Sequence, residues 1–277
     1  MGYLKSKERV CMMKKVSSEF NLTEQLLLLT SRCDLDEEDR KYVQELVNRP
    51  EIDWSFFLGT AFLNRVNGVI YSNLEGIKKI PQSVGNFLKM TFTEHYHRTL
   101  IHQSEIMKIA DLFEKENIKH AFMKGSVLNT MFYKPGQRIS NDTDIMVNVS
   151  EIDKITQILK KLGYFQGKIE DGVVRHATKK EIFFSRLNTY EITPFFKLID
   201  ERYLPFHCID INFRLSNEET DEGARKMLED TIILQNRQHN IRTFSLESFL
   251  LFLCIHHYRE AIMVAKIVEG DDLTLYK

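Results

Sequence analysis

The sequence contains few cysteines, and they are scattered. Four occur in 277 residues, at Cys11, Cys33, Cys208 and Cys254, with no C-x-x-C pair and no zinc-finger spacing. This distribution argues against a disulfide framework and against a cysteine-based zinc site. It predicts reduced thiols in an intracellular, cytoplasmic protein.

Long apolar runs are also lacking. The longest, around residues 249–255, is ended by His256 and His257, well short of the roughly 18 residues that a membrane span needs. The N-terminus has no apolar signal core, so the sequence predicts neither a membrane protein nor a secreted one. The opening residues MGYLKS fit the loose myristoylation pattern, which is common by chance.

The chain also has no excess of basic or of acidic residues. The 38 basic and 39 acidic residues leave a formal net charge of -1, which argues against a general nucleic-acid binder. A local basic pocket for phosphates remains compatible with this balance. A basic stripe for RNA also stays open, built from Lys78, Lys79, Lys89, Arg98, Lys160 and Lys161.

The patterning of the chain predicts three zones. Residues 1–117 are helical, with a long helix after Pro81, and residues 217–277 return to helices. Residues 118–216 mix short strand-like runs with a helix that we expect Ser150 to cap in a capping box with Asp153. A hairpin turn is predicted at Asp171-Gly172, and further strands at 181–185, 189–193 and 206–215. This order fits an α+β or mixed α/β sheet.

Two aspartates in the middle zone suggest a metal site. In NDTDIMV (141–147), Asp142 and Asp144 would share one face of a strand, while Thr143 faces the core. Two neighbouring carboxylates repel each other unless a cation lies between them, and this indicates Mg²⁺. A surface turn is the alternative, because Asn and Asp are also common turn residues.

A glycine and a serine precede this pair and suggest phosphate binding. A strand that ends at Met123, followed by a helix that opens with Gly125 and Ser126, directs backbone N–H groups towards an anion. Lys124 and Arg138 would add positive charge near the same phosphates. Ser126 could instead be a plain helix cap.

A third carboxylate lies further along the chain, at Asp210. In FHCIDINFRL (206–215), the apolar residues alternate with polar ones, so Asp210 occupies the face opposite Ile209 and Ile211. All three carboxylates converge if this strand lies beside the Asp142 strand. An ion pair with Arg214 is the alternative.

Together these segments resemble the nucleotidyltransferase-like proteins of bacteria, an uncharacterised family in the DNA polymerase β-type nucleotidyltransferase superfamily. The resemblance is carried by FMKGSVL (122–128), YKPGQR (133–138), NDTDIMV (141–147) and IDINFRL (209–215). The chain departs from the family pattern in the longer spacing between Gly-Ser and the D-x-D motif and in the place of Asp210, which lies some way downstream across an inserted hairpin. Many members also have histidine in place of Asn212. The chain also ends within the helical zone that usually follows, which leaves a missing C-terminal part open.

The resemblance implies an α+β polymerase β-type core flanked by helical regions at both ends. It also implies transfer of a nucleotidyl group from a nucleoside triphosphate such as ATP, with two Mg²⁺ ions and release of pyrophosphate. Asp142 and Asp144 would bind both ions, and Asp210 would bind one and accept the proton of the attacking hydroxyl. Lys124, Gly125, Ser126 and Arg138 would bind the phosphates.

Three functions remain open at this point. The first is an active nucleotidyltransferase acting on a small molecule, peptide or protein, which we favour over RNA as acceptor. The second is a toxin that modifies RNA or tRNA, and the third is a nucleotide-binding scaffold without turnover. Glu191 is expected on a solvated face, and His256 and His257 are expected to be structural, without zinc.

Overall fold

The computed structural model describes residues 19–216, 220–235 and 239–269. Spatial contacts divide the described residues into two compact units, residues 19–99 with 133–139, and residues 100–132 with 140–216, 220–235 and 239–269. The three zones predicted from sequence pattern, 1–117, 118–216 and 217–277, stay a prediction. The two units are defined by spatial contacts and do not test those boundaries.

The first unit is helical in its described part. The side-chain carboxylate of Asp53 accepts hydrogen bonds from the backbone N–H groups of Ser55 and Phe56, and so starts one helix at Trp54. The helices are α1 (Leu22–Thr30), α2 (Glu37–Val47), α3 (Trp54–Leu63), α4 (Asn67–Leu74) and the residues up to Thr99 of α5 (Gln82–Lys115). Their shared apolar core includes Leu26, Val43, Phe57, Ile70 and Leu88.

Residues 133–139 join this unit through a close approach to α4. A Cβ atom on Gly68 would lie 2.2 Å from the carbonyl oxygen of Gly136, so only glycine allows this contact. Gly136 itself has φ +90, a left-handed conformation that glycine adopts without strain. The segment that carries Arg138 is therefore held against the backbone of α4.

The second unit is built on a mixed six-stranded sheet with strand order β1-β2-β6-β5-β3-β4. Strands β2 and β6 run parallel, whereas the other neighbouring pairs are antiparallel. The strands are β1 (His120–Phe122), β2 (Thr143–Val147), β3 (Phe165–Glu170), β4 (Val173–His176), β5 (Phe195–Leu198) and β6 (Phe206–Asn212). A separate hairpin pairs β7 (Thr231–Gln235) with β8 (Asn240–Phe244).

Helices pack around this sheet and bury its apolar side chains. Besides the part of α5 from Leu100 onwards, they are α6 (Lys124–Met131), α7 (Ile152–Lys161), α8 (Lys179–Asn188), α9 (Glu222–Glu229) and α10 (Leu246–Glu269). The core includes Ile109, Phe113, Phe122, Ile145, Ile155, Phe195, Ile211 and Phe244. The predicted α+β fold with helices at both ends is confirmed. None of the helices in the described part of the chain combines the length and apolarity of a membrane span.

Several local predictions were wrong. Residues 181–185 belong to α8 and not to a strand, because Thr178 and Glu181 form a capping box that starts a helix there. The expected Ser150–Asp153 box is also absent, since Ser150 donates its hydroxyl hydrogen to Asn148 at the start of the short 3₁₀ helix Val149–Glu151. The strand predicted at 189–193 is reduced to an isolated β-bridge between Glu191 and Asn212.

Two further outcomes concern the turns and the third zone. The predicted hairpin turn is confirmed, because Asp171 and Gly172 have φ 50 and 77 and connect β3 to β4. The β7–β8 hairpin, in contrast, lies in the zone expected to be helical. Each of its strands has only five residues, TIILQ and NIRTF, without regular alternation of polar and apolar residues, so the sequence carries no strong strand signal there.

Candidate functional site

The junction between β1 and α6 lies beside the D-x-D motif. After β1 ends at Phe122, the backbone N–H of Met123 donates to the carbonyl oxygen of Asp144 at 3.0 Å. Lys124 follows with φ +47, a left-handed conformation that lysine rarely adopts. Strained conformations of this kind concentrate at functional sites. The junction therefore holds Lys124 next to the strand that carries Asp144.

Gly125 and Ser126 lie in the first turn of α6, which begins at Lys124. Both residues are buried, and the Ser126 hydroxyl has no hydrogen-bond partner among the described residues. The backbone N–H of Ser126 donates to the Met123 carbonyl oxygen at 3.2 Å. An unpaired buried hydroxyl costs free energy, so it is a group that a polar ligand atom would satisfy. Phosphate binding at these two residues stays a prediction.

Asp144 lies within the fully buried strand β2, and Asp142 is half-buried just before that strand. The surface-turn alternative for this motif is therefore wrong. Asp144 is 4% exposed, and its carboxylate oxygen Oδ1 lies 2.7 Å from Nζ of Lys124. Burial raises the pKa of Asp144 to about 6, an effect that Lys124 opposes and Asp142 reinforces.

Asp210 lies directly opposite Asp144 on the neighbouring strand. The parallel register of β2 and β6 pairs Asp144 with Asp210 and Thr143 with Ile209. Burial first, and then the negative charge of Asp144, raises the pKa of Asp210 to about 8. Within residues 19–216, 220–235 and 239–269, no lysine or arginine forms an ion pair with Asp210. The alternative pairing with Arg214 is therefore wrong.

Glu191 adds a fourth carboxylate that the sequence reasoning placed on a solvated face. It bridges to Asn212 on the β6 side of the site, and burial followed by the charge of Asp144 raises its pKa. The prediction of a solvated Glu191 is wrong because the chain at 189–193 folds against β6. The available signal was its place in the strand-like run TYEIT (189–193), next to the apolar Ile192.

The electrostatics of these side chains show a site that concentrates negative charge. Asp144 and Glu191 each raise the pKa of Asp210, and Lys124 lowers it. Carboxylate oxygens are the ligands that Mg²⁺ prefers in proteins, so the donor chemistry fits this ion. In the described residues, however, no three His, Cys, Asp or Glu side chains are gathered as a metal centre. Lys124 supplies the positive charge beside Asp144 in this state.

Helix α10 brings a further charged side chain, Arg259, near the carboxylates. The Arg259 guanidinium lies 4.2 Å from the ring centroid of Tyr190 and donates to the Leu215 carbonyl oxygen at 2.9 Å. Its charge lowers the pKa of Asp144 and of Glu191. Sequence reasoning missed Arg259, because no motif surrounds it.

His256 and Arg138 have other surroundings. His256 is half-buried and stacks on Phe252, and burial, followed by the charge of Lys124, lowers its pKa to about 4. Arg138 lies in the segment 133–139 of the first unit, whereas Lys124, Gly125 and Ser126 lie in the second. The structure thus brings the acidic residues and Lys124 together, while a phosphate contact by Arg138 stays a prediction.

Comparison with protein families identifies the chain. A family model described as an uncharacterised nucleotidyltransferase matches residues 50–269. The chain belongs to this family. The match covers every residue of the site described above and confirms the resemblance found in the sequence. Membership supports nucleotidyl transfer from a nucleoside triphosphate as the general activity of this nucleotidyltransferase family member. A search among curated proteins finds no match.

Proposed function

We propose that the protein transfers a nucleoside monophosphate from a nucleoside triphosphate to an acceptor, in a magnesium-dependent reaction that releases pyrophosphate. One observation carries the proposal. Asp144 and Asp210 lie opposite each other on parallel strands, next to Asp142 and an amine from Lys124. Family membership supports the same chemistry.

The reaction would proceed by attack of an acceptor oxygen on the α-phosphorus. A new oxygen–phosphorus bond forms, the bond from the α-phosphorus to the oxygen that bridges to the β-phosphate breaks, and pyrophosphate leaves with the electron pair. The acceptor hydroxyl loses its proton in this step. We assign acceptance of that proton to Asp210, since Asp142 and Asp144 would hold both ions whereas Asp210 would bind only the ion beside the attacking hydroxyl.

Asp142, Asp144 and Asp210 would together hold the magnesium. The bound ions would supply a lower pKa for the attacking hydroxyl and neutralisation of charge on the triphosphate. Asp144 and Asp210 are well suited to this role because their strands are hydrogen-bonded to each other, so their backbones cannot drift apart. Rigid strands hold ligands more accurately than loops do.

The phosphates would be bound by the junction at the start of α6. The side chain of Lys124 is flexible, so its amine would move from Asp144 to a phosphate when a divalent cation binds Asp144. Gly125 permits close backbone approach, and the unpaired hydroxyl of Ser126 can donate to a phosphate oxygen after a small rearrangement of the junction. Arg138 is proposed as an additional phosphate ligand.

A small molecule, peptide or protein is the proposed acceptor. The net charge of -1 gives no general basis for RNA binding. An RNA-modifying enzyme would instead bind a tRNA with an affinity that falls steeply as salt rises from 50 to 200 mM. A scaffold without turnover would bind nucleotide equally well with and without Mg²⁺.

A thermal-shift titration tests the proposal. ATP, GTP, CTP and UTP are added with and without Mg²⁺ to the wild-type protein and to the Asp142→Asn/Asp144→Asn double variant. A nucleotide at about 100 times its dissociation constant should stabilise the wild-type protein by roughly 2.7 kcal/mol. The double variant should lose the Mg²⁺-dependent shift. Asp153→Asn is the matched control, because Asp153 forms an exposed ion pair with Arg186 on a different surface.

The outcomes separate the candidates. A Mg²⁺-dependent shift that only the double variant loses supports the triphosphate site and identifies the base for an acceptor screen. The absence of a shift with every nucleotide would overturn the catalytic proposal. Equal shifts with and without Mg²⁺ would favour the scaffold.

A further inference from the structure

A chain of buried polar side chains runs behind the D-x-D motif, on the opposite face of β2 from the carboxylates. Thr143 Oγ1 lies 3.3 Å from His102 Nε2 and 2.9 Å from His207 Nε2. The other ring nitrogen of His207, Nδ1, lies 2.7 Å from the Tyr164 hydroxyl. That hydroxyl in turn donates to Oε2 of Glu105 at 3.0 Å. The structure thus links Thr143 to a carboxylate through two intervening side chains.

The far end of this buried chain is anchored by two lysines. Nζ of Lys197 lies 2.8 Å from Oε2 of Glu105, and Nζ of Lys108 lies 2.6 Å from Oε1. Burial alone would raise the pKa of Glu105, but the hydrogen bonds from Lys108, Lys197 and Tyr164 lower it. Glu105 is therefore ionised at neutral pH and acts as a fixed acceptor.

The ionised acceptor determines the direction of every hydrogen bond towards Thr143. Tyr164 has one hydroxyl hydrogen and donates it to Glu105, so its oxygen must accept from His207. His207 is neutral, because burial and then the neighbouring His102 lower its pKa well below the usual value. Its hydrogen therefore lies on Nδ1, and Nε2 accepts the hydrogen of Thr143. The Thr143 hydroxyl is thereby held in a single orientation.

Thr143 is the residue between Asp142 and Asp144, and it pairs with Ile209 next to Asp210. We propose that the buried chain Thr143–His207–Tyr164–Glu105 positions the three aspartates for a divalent cation, with Thr143 as the positioning residue. The inference rests on the proposed function. Groups that orient metal ligands commonly change metal affinity by about 10- to 100-fold when they are removed, and Thr143 would act through the backbone that joins it to Asp142 and Asp144.

Binding of Mn²⁺ to the full chain tests the inference, with the free ion measured by electron paramagnetic resonance. Thr143→Val removes the hydroxyl and keeps the shape, and it should raise the Mn²⁺ dissociation constant by about 10-fold. Thr143→Ser restores the hydroxyl and should return the constant to within about 2-fold of wild type. The matched control is Thr193→Val, because Thr193 is 1% exposed and its hydroxyl has no partner among the described residues.

A second variant keeps the test decisive if Thr143→Val does not fold. Tyr164→Phe breaks the buried chain two side chains away from the aspartates and should also weaken Mn²⁺ binding. All measurements are made well below the melting temperature of each variant, so that a change in affinity reflects the site and not the folded fraction. Wild-type affinity in both variants would overturn the inference alone. A wild-type protein that binds no Mn²⁺ would overturn the proposed function and the inference with it.

Discussion

Asp144 and Asp210 occupy opposite positions in the parallel pair β2–β6, and Lys124 contacts the first of them at 2.7 Å. Two buried carboxylates so placed repel each other, and the single amine compensates only part of their charge. Burial raises the pKa of Asp144 to about 6 and that of Asp210 to about 8, and the charge of Asp144 adds to the shift at Asp210. We expect a bound cation to stabilise the site, because it would reduce this repulsion.

The first prediction is that the metal-free protein becomes less stable as the pH rises from about 5.5 to 8.5. Asp210 keeps its proton in the folded state up to a pKa of about 8, whereas the unfolded chain releases it near the ordinary aspartate pKa of 3.8. Raising the pH through this window removes stability, by roughly 1–3 kcal/mol for the site. Urea unfolding in EDTA at both pH values measures the loss. Asp210→Asn should reduce it, and an unchanged loss in that variant would contradict the assignment.

The second prediction concerns the ion pair between Lys124 and Asp144. Lys124→Met should lower the free energy of unfolding by about 1–3 kcal/mol at pH 7, because it leaves a buried carboxylate without its partner. Lys226→Met is the control, since Lys226 forms an exposed pair with Glu222 and should change stability by less than about 0.5 kcal/mol. Mg²⁺ should stabilise Lys124→Met more than it stabilises the wild-type protein. Equal losses of stability in the two variants would show that the Lys124–Asp144 pair stabilises the protein no more than an exposed ion pair does.

The third prediction concerns Glu191. Glu191→Gln removes a negative charge that helps to raise the pKa of Asp210, so the pKa of Asp210 should fall below about 8. Carboxyl ¹³C nuclear magnetic resonance of the metal-free protein follows this titration directly. Glu222→Gln, on the exposed surface of α9, should leave the titration unchanged. If the Asp210 titration is the same in both variants, Glu191 does not belong to the site.

The fourth prediction tests the support of the segment that carries Arg138. Gly68→Ala should destabilise the protein by about 1–3 kcal/mol, because the new methyl group would collide with the backbone of Gly136 and Gln137. Gly59→Ala is the matched control within α3, where nothing lies within 4 Å of the added carbon. That control should stabilise the helix by roughly 0.5–1 kcal/mol. Melting temperatures that shift in the same direction for both variants would contradict the close approach.

The elements with strong local signals could be predicted from the sequence. Alternation of apolar residues around Asp210 predicts β6, and Asp171-Gly172 predicts the turn between β3 and β4. Residues 181–185 misled the prediction, because the capping box of Thr178 and Glu181 outweighed a short strand-like pattern. The mistaken placement of Glu191 had a different cause, since its burial depends on a segment that folds back against β6.

The sequence by itself determined which side chains are proposed to carry the chemistry, since the order of Lys124, Gly125, Ser126, the D-x-D pair and Asp210 is a property of the chain. It also determined the α+β class, because strand and helix periods are local patterns. Only the tertiary structure decided that β2 pairs in parallel with β6, that Lys124 neutralises Asp144, and that Thr143 joins a buried chain reaching Glu105. These relationships join residues far apart in sequence, and their energies depend on burial and distance, which no local pattern encodes.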